Sequence, residues 1–198
     1  QLVKTIANNI QASLPASEQD NVYAFAHAAF IYVRDEVNYD SFAHGWPPRN
    51  GPECLAQGLG DCDEQSNAWM SILRVKQIPT WYEFGALTSM DHEVWEAHAW
   101  AVVMIPYDAE WCDALGITLG SCFLEASVDV VNNKWLLHTP TAFTEFIEPE
   151  SPGGVAANDF YRVLSIGAYN YAWFETYETV EGPYHSGGDY KVPWLAGE

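Results

Sequence analysis

The spacing of apolar residues changes period once along the chain, and this change limits the folds open to it. Up to about position 75 the apolar residues recur every three or four positions, as on one face of a helix. From Thr80 onward the apolar residues alternate instead, over 80–87, 97–105 and 122–130, which is typical of strands. Helices followed by strands predict an α+β fold, with helices packed on one side of an antiparallel sheet.

The bounds of these elements follow from local signals. Helices are predicted over 2–13, from Ser17 as a cap to about Arg34, and over 63–75, whereas the Gly- and Pro-rich stretch 38–52 indicates a loop. Two further strands flank Gly167-Ala168 and predict a hairpin. We therefore expect one domain over 1–198, and its parts are a core over about 17–135 and a C-terminal strand extension over about 136–198.

The charge balance excludes several classes of partner. With 27 acidic and 8 basic residues, the net charge of −19 disfavours nucleic acids and anionic membranes, which need Lys and Arg. No apolar run reaches the roughly 18 residues of a membrane span, so membrane insertion is not expected. Two explanations stay open: solubility or adaptation to high salt, and attraction of a cationic substrate or of cations. No cofactor is expected, although acidic stretches such as 108–113 leave calcium as an alternative.

The four cysteines indicate neither a zinc site nor a CxxC motif. Cys112 and Cys122 bracket a Gly-containing loop, and they can pair if the protein is exported. The many Trp and Tyr residues and the few lysines favour an extracellular or cell-surface protein over a cytoplasmic one, although the segment 1–4 lacks the pattern of a signal peptide. The sequence gives no indication of the oligomeric state.

Cys62 is the candidate nucleophile because Gly60-Asp61-Cys62 opens a predicted helix. The amino terminus of a helix presents unpaired N–H groups and the positive end of the dipole, which stabilise the reactive thiolate. The backbone N–H of Cys62 is also placed to hold an oxyanion. The structural alternative is an ordinary buried cysteine at the start of a helix.

His98 is the candidate base, on a predicted strand where it shares one face with Trp100. The alternative is a structural histidine in the core. A base needs an acid that orients it, and the strand 123–129 offers two on the same face. Glu125 is preferred because a charged residue between apolar neighbours in the middle of a strand is unusual unless it has a function. Asp129 is the alternative, near the strand end where it is more easily solvated.

Together these segments resemble the transglutaminase-like superfamily of papain-type thiol enzymes. Over about 25–130, the motifs that carry the resemblance are Gly60-Asp61-Cys62, Leu73-Arg74, Ile78-Pro79-Thr80, His98-Ala99-Trp100 and Leu124-Glu125-Ala126-Ser127. The chain departs from the family pattern with Gln77 in place of a glycine, Trp81 in place of an arginine, and Glu125 in place of the usual aspartate. The long interval between His98 and the acid indicates an inserted loop over 107–120.

The resemblance implies a cysteine-dependent acyl-transfer enzyme that acts on amide bonds of a protein or peptide. A peptidase or amidase is preferred, because small microbial members of the family resemble peptidases. The alternatives are a transglutaminase that cross-links proteins, and a non-catalytic module that binds a peptide or glycan. Trp46 and Gln57 are candidates for further oxyanion contacts, and Trp100 is a candidate for contact with the substrate.

Overall fold

The computed structural model describes residues 1–40, 49–88, 95–118, 121–138, 142–147, 160–166 and 169–175. The helices are α1 (Leu2–Ser13), α2 (Val22–Glu36), α3 (Gly51–Gln57), α4 (Cys62–Arg74) and α5 (Ala109–Leu115). The strands are β1 (Asn38–Tyr39), β2 (Leu59–Gly60), β3 (Thr80–Thr88), β4 (Trp95–Pro106), β5 (Phe123–Val128), β6 (Ala142–Ile147), β7 (Phe160–Ile166) and β8 (Tyr169–Glu175). None of the helices in these ranges is long and apolar enough to cross a membrane.

The main sheet has four antiparallel strands in the order β5-β4-β3-β6. Two short strands, β1 and β2, pair in parallel ahead of α4. The strands β7 and β8 pair with each other in antiparallel register, which confirms the predicted strand pair; its turn at 167–168 lies outside the described residues. The predicted α+β class, with N-terminal helices and an antiparallel sheet, is confirmed.

Helix α4 occupies the centre of the molecule, between the other helices and the sheet. Every residue from Asp63 to Arg74 is buried, and the indole N–H of Trp69 donates to the carbonyl of Ala26 on α2 (3.2 Å). On the sheet side, Ala99 and other small or branched residues of β4 join the hydrophobic core. Because α4 is held on both sides, its first residue, Cys62, has a fixed position relative to β4.

Helix α2 begins later than predicted. Ser17 does not cap it; Asn21 does, and its side chain accepts a hydrogen bond from the N–H of Ala24 (3.0 Å). The residues before Asn21 form tight turns, in which the N–H of Glu18 donates to the carbonyl of Pro15 (2.7 Å). Because Asn21 directly precedes the first buried residue of α2, its side chain is the cap that fits the helix start.

Helix α3 lies partly in the stretch that was predicted as a loop. Its start is a capping box, in which Asn50 accepts from the N–H of Glu53 (2.9 Å) and the Glu53 side chain accepts from the N–H of Asn50 (3.2 Å). Proline stands in its first turn, and Gly58 ends it with a φ of 65°. The pattern Asn-Gly-Pro-Glu was therefore a helix-start signal in the sequence, and the Gly and Pro residues obscured it.

The predicted inserted loop contains α5, which a disulfide ties to the edge of the sheet. Cys112 in α5 is bonded to Cys122, immediately before β5, and their Cα atoms lie 5.9 Å apart. Asp108 caps α5 by accepting from the N–H of Glu110 (2.8 Å). The pairing of the two cysteines, which the sequence left open, is thus present, and such a bond persists in an oxidising compartment.

Candidate active site

Cys62 is the first residue of α4, as the sequence predicted. Asp61 is the N-cap, and its carboxylate accepts from the N–H groups of Asp63 (3.2 Å) and Glu64 (3.4 Å). The Glu64 carboxylate in turn accepts from the N–H of Asp61 (3.1 Å), which completes a capping box. At this position the backbone N–H of Cys62 has no acceptor within the helix, so it is available to a bound oxyanion.

Gly60, two positions before Cys62, is required by close packing. A Cβ atom at this position would lie 2.7 Å from the Sγ of Cys54 and 2.9 Å from the Cβ of Glu64. Both contacts are shorter than ordinary van der Waals separations, so a side chain would push α3 and α4 apart. The glycine of the Gly-Asp-Cys motif therefore brings the start of α4 against α3.

The sulfur of Cys62 lies against β4 at residues that do not pair with β5 in the described ladder. In the described ladder, β5 pairs with β4 only from Ala101 onward, so the preceding residues of β4 face no β5 partner. The N–H of Met104 donates to Pro79 on the β3 side (3.0 Å), and alternation turns the N–H of Ala99 to the opposite edge. There the Ala99 N–H donates to the Cys62 sulfur. The sulfur thus lies beside the residue that follows His98.

His98 forms a buried pair with Asp129. The Nε2 atom of His98 and the Oδ2 atom of Asp129 are 2.7 Å apart, and the two residues are only 5% and 3% exposed. Burial alone would raise the pKa of Asp129, but hydrogen bonds from His98 and Asn132 outweigh it and hold the pKa below its ordinary value. An ionised Asp129 requires a proton on Nε2, which leaves Nδ1 of His98 as a hydrogen-bond acceptor.

Glu125 does not reach His98, which corrects the preference drawn from the sequence. Its side chain is exposed, and it stands opposite Met104 in the β4–β5 ladder. Met104 lies six positions from His98 along β4, about 20 Å at the rise of a strand. Asp129 follows the end of β5 and lies at the His98 end of that ladder. The two acids share a face by alternation, and the register of the strand pair decides which of them meets the histidine.

Asn132 joins the same cluster and was not predicted. Its side-chain Nδ2 lies 2.8 Å from Asp129 Oδ2 and 3.2 Å from His98 Nε2, and its backbone N–H donates to Asp129 Oδ1 (3.1 Å). An aspartate that binds the N–H of a residue further along the chain is typical of a turn. The signal in the sequence was therefore the pair of asparagines, 132 and 133, that closely follows Asp129.

The remaining predicted site residues lie in other settings. Gln57 is at the end of α3, where its amide oxygen accepts from the Nε of Arg49 (2.7 Å), so it belongs to a neighbouring polar cluster. Trp100 is 2% exposed; its indole N–H donates to Glu83 (2.8 Å), and its ring centroid lies 5.9 Å from that of His98. It packs beside His98 and offers little open surface to a substrate. Trp46 lies outside the described residues.

The surroundings of Cys62 favour the neutral thiol, contrary to the thiolate expected from a helix start. Burial raises the pKa of the half-buried Cys62 well above its ordinary value, and the carboxylates of Asp63, Asp61 and Asp129 raise it further. The hydrogen bond from Ala99 lowers this pKa but does not offset the other effects. The acidic residues that cap α4 therefore counteract the helix dipole, and formation of the thiolate requires a base.

We expect Asp63→Asn to make Cys62 more reactive. The hydroxyl of Tyr82 donates to the buried Asp63 carboxylate (2.6 Å), and an asparagine oxygen retains that hydrogen bond while the negative charge is lost. The pKa of Cys62 should then fall, and alkylation by iodoacetamide at pH 7 should accelerate by up to about tenfold, the gain in thiolate per pKa unit. Asp113→Asn, an exposed change on α5, is the control. Equal pH midpoints of Cys62 alkylation in Asp63→Asn and Asp113→Asn would contradict this account.

In the described ranges, no group of three or more His, Cys, Asp or Glu side chains is arranged to hold a metal ion. The acidic stretch that left calcium as an alternative begins with Asp108, whose carboxylate caps α5.

In a comparison with protein families, residues 5–114 match the family model described as the transglutaminase-like superfamily. This match spans more than half of the chain and includes both Cys62 and His98. The chain belongs to the transglutaminase-like superfamily. Members of this superfamily are in general papain-like cysteine enzymes, either peptidases or transglutaminases. The matched range ends before Asp129, whose place beside His98 is seen in the structure alone. A comparison with curated proteins found no match.

Proposed function

We propose that this member of the transglutaminase-like superfamily is a cysteine-dependent acyl-transfer enzyme that hydrolyses amide bonds in a protein or peptide substrate. In this proposal Cys62 is the nucleophile, His98 is the general base and Asp129 orients the imidazole. The observation that carries the proposal is the buried His98–Asp129 pair, one residue away from the Ala99 N–H that holds the Cys62 sulfur.

The protonation states support a base-assisted attack. Because Nε2 of His98 donates to Asp129, Nδ1 is the atom that takes the proton from the neutral Cys62 thiol. The negative charge of Asp129 stabilises the imidazolium that results. The thiolate forms only as the proton leaves, so a resting ion pair is not needed.

The acyl transfer then has two halves. In the first, the thiolate attacks the amide carbonyl, the Cys62 N–H at the start of α4 stabilises the oxyanion, and His98 protonates the leaving amine as the C–N bond breaks. This step leaves a thioester on Cys62. In the second half, His98 takes a proton from water, and the resulting hydroxide attacks the thioester. The C–S bond then breaks, the Cys62 sulfur takes the proton back from His98, and the carboxylic acid leaves.

Transamidation is the second candidate, and the acidic charge of the chain favours it. A lysine amine in place of water converts the same thioester into a cross-link. A net charge of −19 raises the local concentration of cationic amines near the protein. The share of thioester captured by added lysine, measured as cross-linked against hydrolysed product, separates the two reactions.

The test of the proposed function is removal of the sulfur. Cys62→Ala should reduce cleavage of a denatured protein such as casein by at least about 10⁴-fold, because nucleophile, base and acid act as a unit. Cys54→Ala is the matched control, since Cys54 is the other free cysteine in the described part of the chain and is fully buried. Cleavage that survives in Cys62→Ala would refute the assignment.

Alkylation tests the same assignment without a known substrate. We expect iodoacetamide to label Cys62 in the native protein at a rate that falls in His98→Ala, because the imidazole removes the thiol proton. A Cys62 that iodoacetamide does not label, or a labelling rate that is unchanged in His98→Ala, would favour a non-catalytic module that binds peptides or glycans.

A further inference from the structure

The buried carboxylate of Asp129 has two hydrogen bonds from one neighbouring residue. Its Oδ1 accepts from the backbone N–H of Asn132 (3.1 Å), and its Oδ2 accepts from the Asn132 side chain (2.8 Å). Asp129 is 3% exposed, and a charged carboxylate at that depth is costly unless donors replace water. Asn132 thus supplies a donor to each carboxylate oxygen, and His98 supplies a further one to Oδ2.

The orientation of the Asn132 amide follows from its two neighbours. The atom that lies 2.8 Å from Asp129 Oδ2 must be the amide nitrogen, because an amide oxygen there would repel the carboxylate. The same nitrogen lies 3.2 Å from His98 Nε2. As a donor this nitrogen cannot accept the Nε2 proton of His98, whereas the ionised Asp129 carboxylate, 2.7 Å from Nε2, can accept it.

The backbone holds Asn132 in this position. Asp129 and Lys134 close the turn with two backbone hydrogen bonds, of 3.0 Å and 2.8 Å. Just beyond the turn, the Trp135 ring packs against Tyr23 and His27 of α2, with centroid distances of 5.7 Å and 4.9 Å. The turn that carries Asn132 is thus fixed to the helical layer at one end and to the sheet at the other.

We propose that Asn132 is a positioning residue, which fixes Asp129 as the acceptor of the His98 Nε2 proton and so keeps Nδ1 of His98 open toward Cys62. This inference rests on the proposed function, because it assigns Asn132 a part in preparing the base. Asn132 acts through Asp129 and takes no part in bond making at the thiol.

The consequence is a change in pH dependence. Among the described residues, His98 from β4 and Cys62 from α4 are titratable groups that face Asp129, and Asn132 is the neutral donor in the turn. Loss of the Asn132 side chain removes a hydrogen bond that favours the ionised carboxylate, so the pKa of Asp129 rises. The acidic limb of Cys62 reactivity should therefore move to higher pH in Asn132→Ala.

The experiment compares Asn132→Ala with Asn133→Gly in the full chain. The probe is iodoacetamide, and alkylation of Cys62 is followed over the whole acidic range in which Asp129 titrates and up to neutral pH. Asn133 has a φ of 52°, which glycine adopts freely, so this control trims the adjacent side chain without straining the turn. We expect the acidic limb to shift upward and the rate on that limb to fall about tenfold in Asn132→Ala, the size expected for one lost hydrogen bond to a charged group. A folded Asn132→Ala with the wild-type profile would overturn the proposal.

Nitrogen-15 NMR of the unaltered protein gives a second test that needs no variant. The proposal requires neutral His98 to carry its proton on Nε2, and a proton on Nδ1 would overturn it even if Asn132→Ala does not fold. If the proposed function is wrong, Cys62 should be alkylated at the same rate in His98→Ala as in the unaltered protein. The tautomer measurement is independent of that outcome, so the two failures are distinguishable.

Discussion

Asp129→Asn is expected to lower kcat/KM by about 10³- to 10⁴-fold, whereas Glu125→Gln should leave it unchanged. The asparagine keeps the size of the side chain but removes the charge that stabilises the His98 imidazolium. It can also donate to Nε2, which would favour the tautomer whose proton is on Nδ1 and thus block the base. Glu125 is exposed on β5, opposite Met104, and no contact within the described part of the chain links it to His98.

Asp129→Asn and Glu125→Gln can be compared directly, because both acids lie on one segment of the chain and both substitutions replace a carboxylate with its amide. Hydrolysis of casein and alkylation of Cys62 by iodoacetamide are the two readouts, and circular dichroism verifies that each variant is folded. A large loss in Glu125→Gln together with full activity in Asp129→Asn would restore the assignment that the sequence alone preferred.

Arg49→Ala is expected to lower the free energy of unfolding by about 3–5 kcal/mol. Arg49 is 7% exposed; its Nη1 lies 3.1 Å from Glu64 Oε2, and its Nη2 lies 2.8 Å from Asp40 Oδ2. Glu64 is completely buried, so loss of the guanidinium removes a positive charge that compensates its carboxylate in the core. Glu64 also accepts from the N–H of Asp61, and the damage should therefore extend to the start of α4, where Cys62 lies.

Urea unfolding followed by circular dichroism measures this effect. The control is Arg34→Ala, which removes the exposed ion pair between Arg34 and Asp35 (2.7 Å). Solvent screens that pair, so we expect little change in the midpoint of unfolding. Similar midpoints for the two variants would show that the Arg49–Glu64 pair is not the support of α4 that its burial indicates.

Much of the candidate site could be predicted from the sequence because its signals are local. The start of α4 follows from a cap and a capping box within four residues, and the position of His98 on a strand follows from simple alternation. Helix α3 was missed although its capping box was present, because the Gly and Pro residues of that stretch suggested a loop. The disulfide between Cys112 and Cys122 was foreseen as a possibility from the sequence separation alone.

The reactivity of Cys62 depends only in part on its neighbours in the sequence. A helix start lowers the pKa of a thiol, but burial and the approach of Asp63, Asp61 and Asp129 raise it here. Burial depends on how α4 packs against the sheet, and Asp129 comes from a segment more than sixty positions away. The net direction of the shift is therefore a property of the assembled core.

The sequence by itself determined the α+β class, the helix that Cys62 begins and the strand that carries His98, since each depends on the periodicity and caps of a single segment. The acid next to His98 was decided by the tertiary structure. Alternation is a property of one strand and puts Glu125 and Asp129 on the same face, whereas register is a property of two strands. The register of β5 on β4 places Asp129 at His98 and leaves Glu125 opposite Met104.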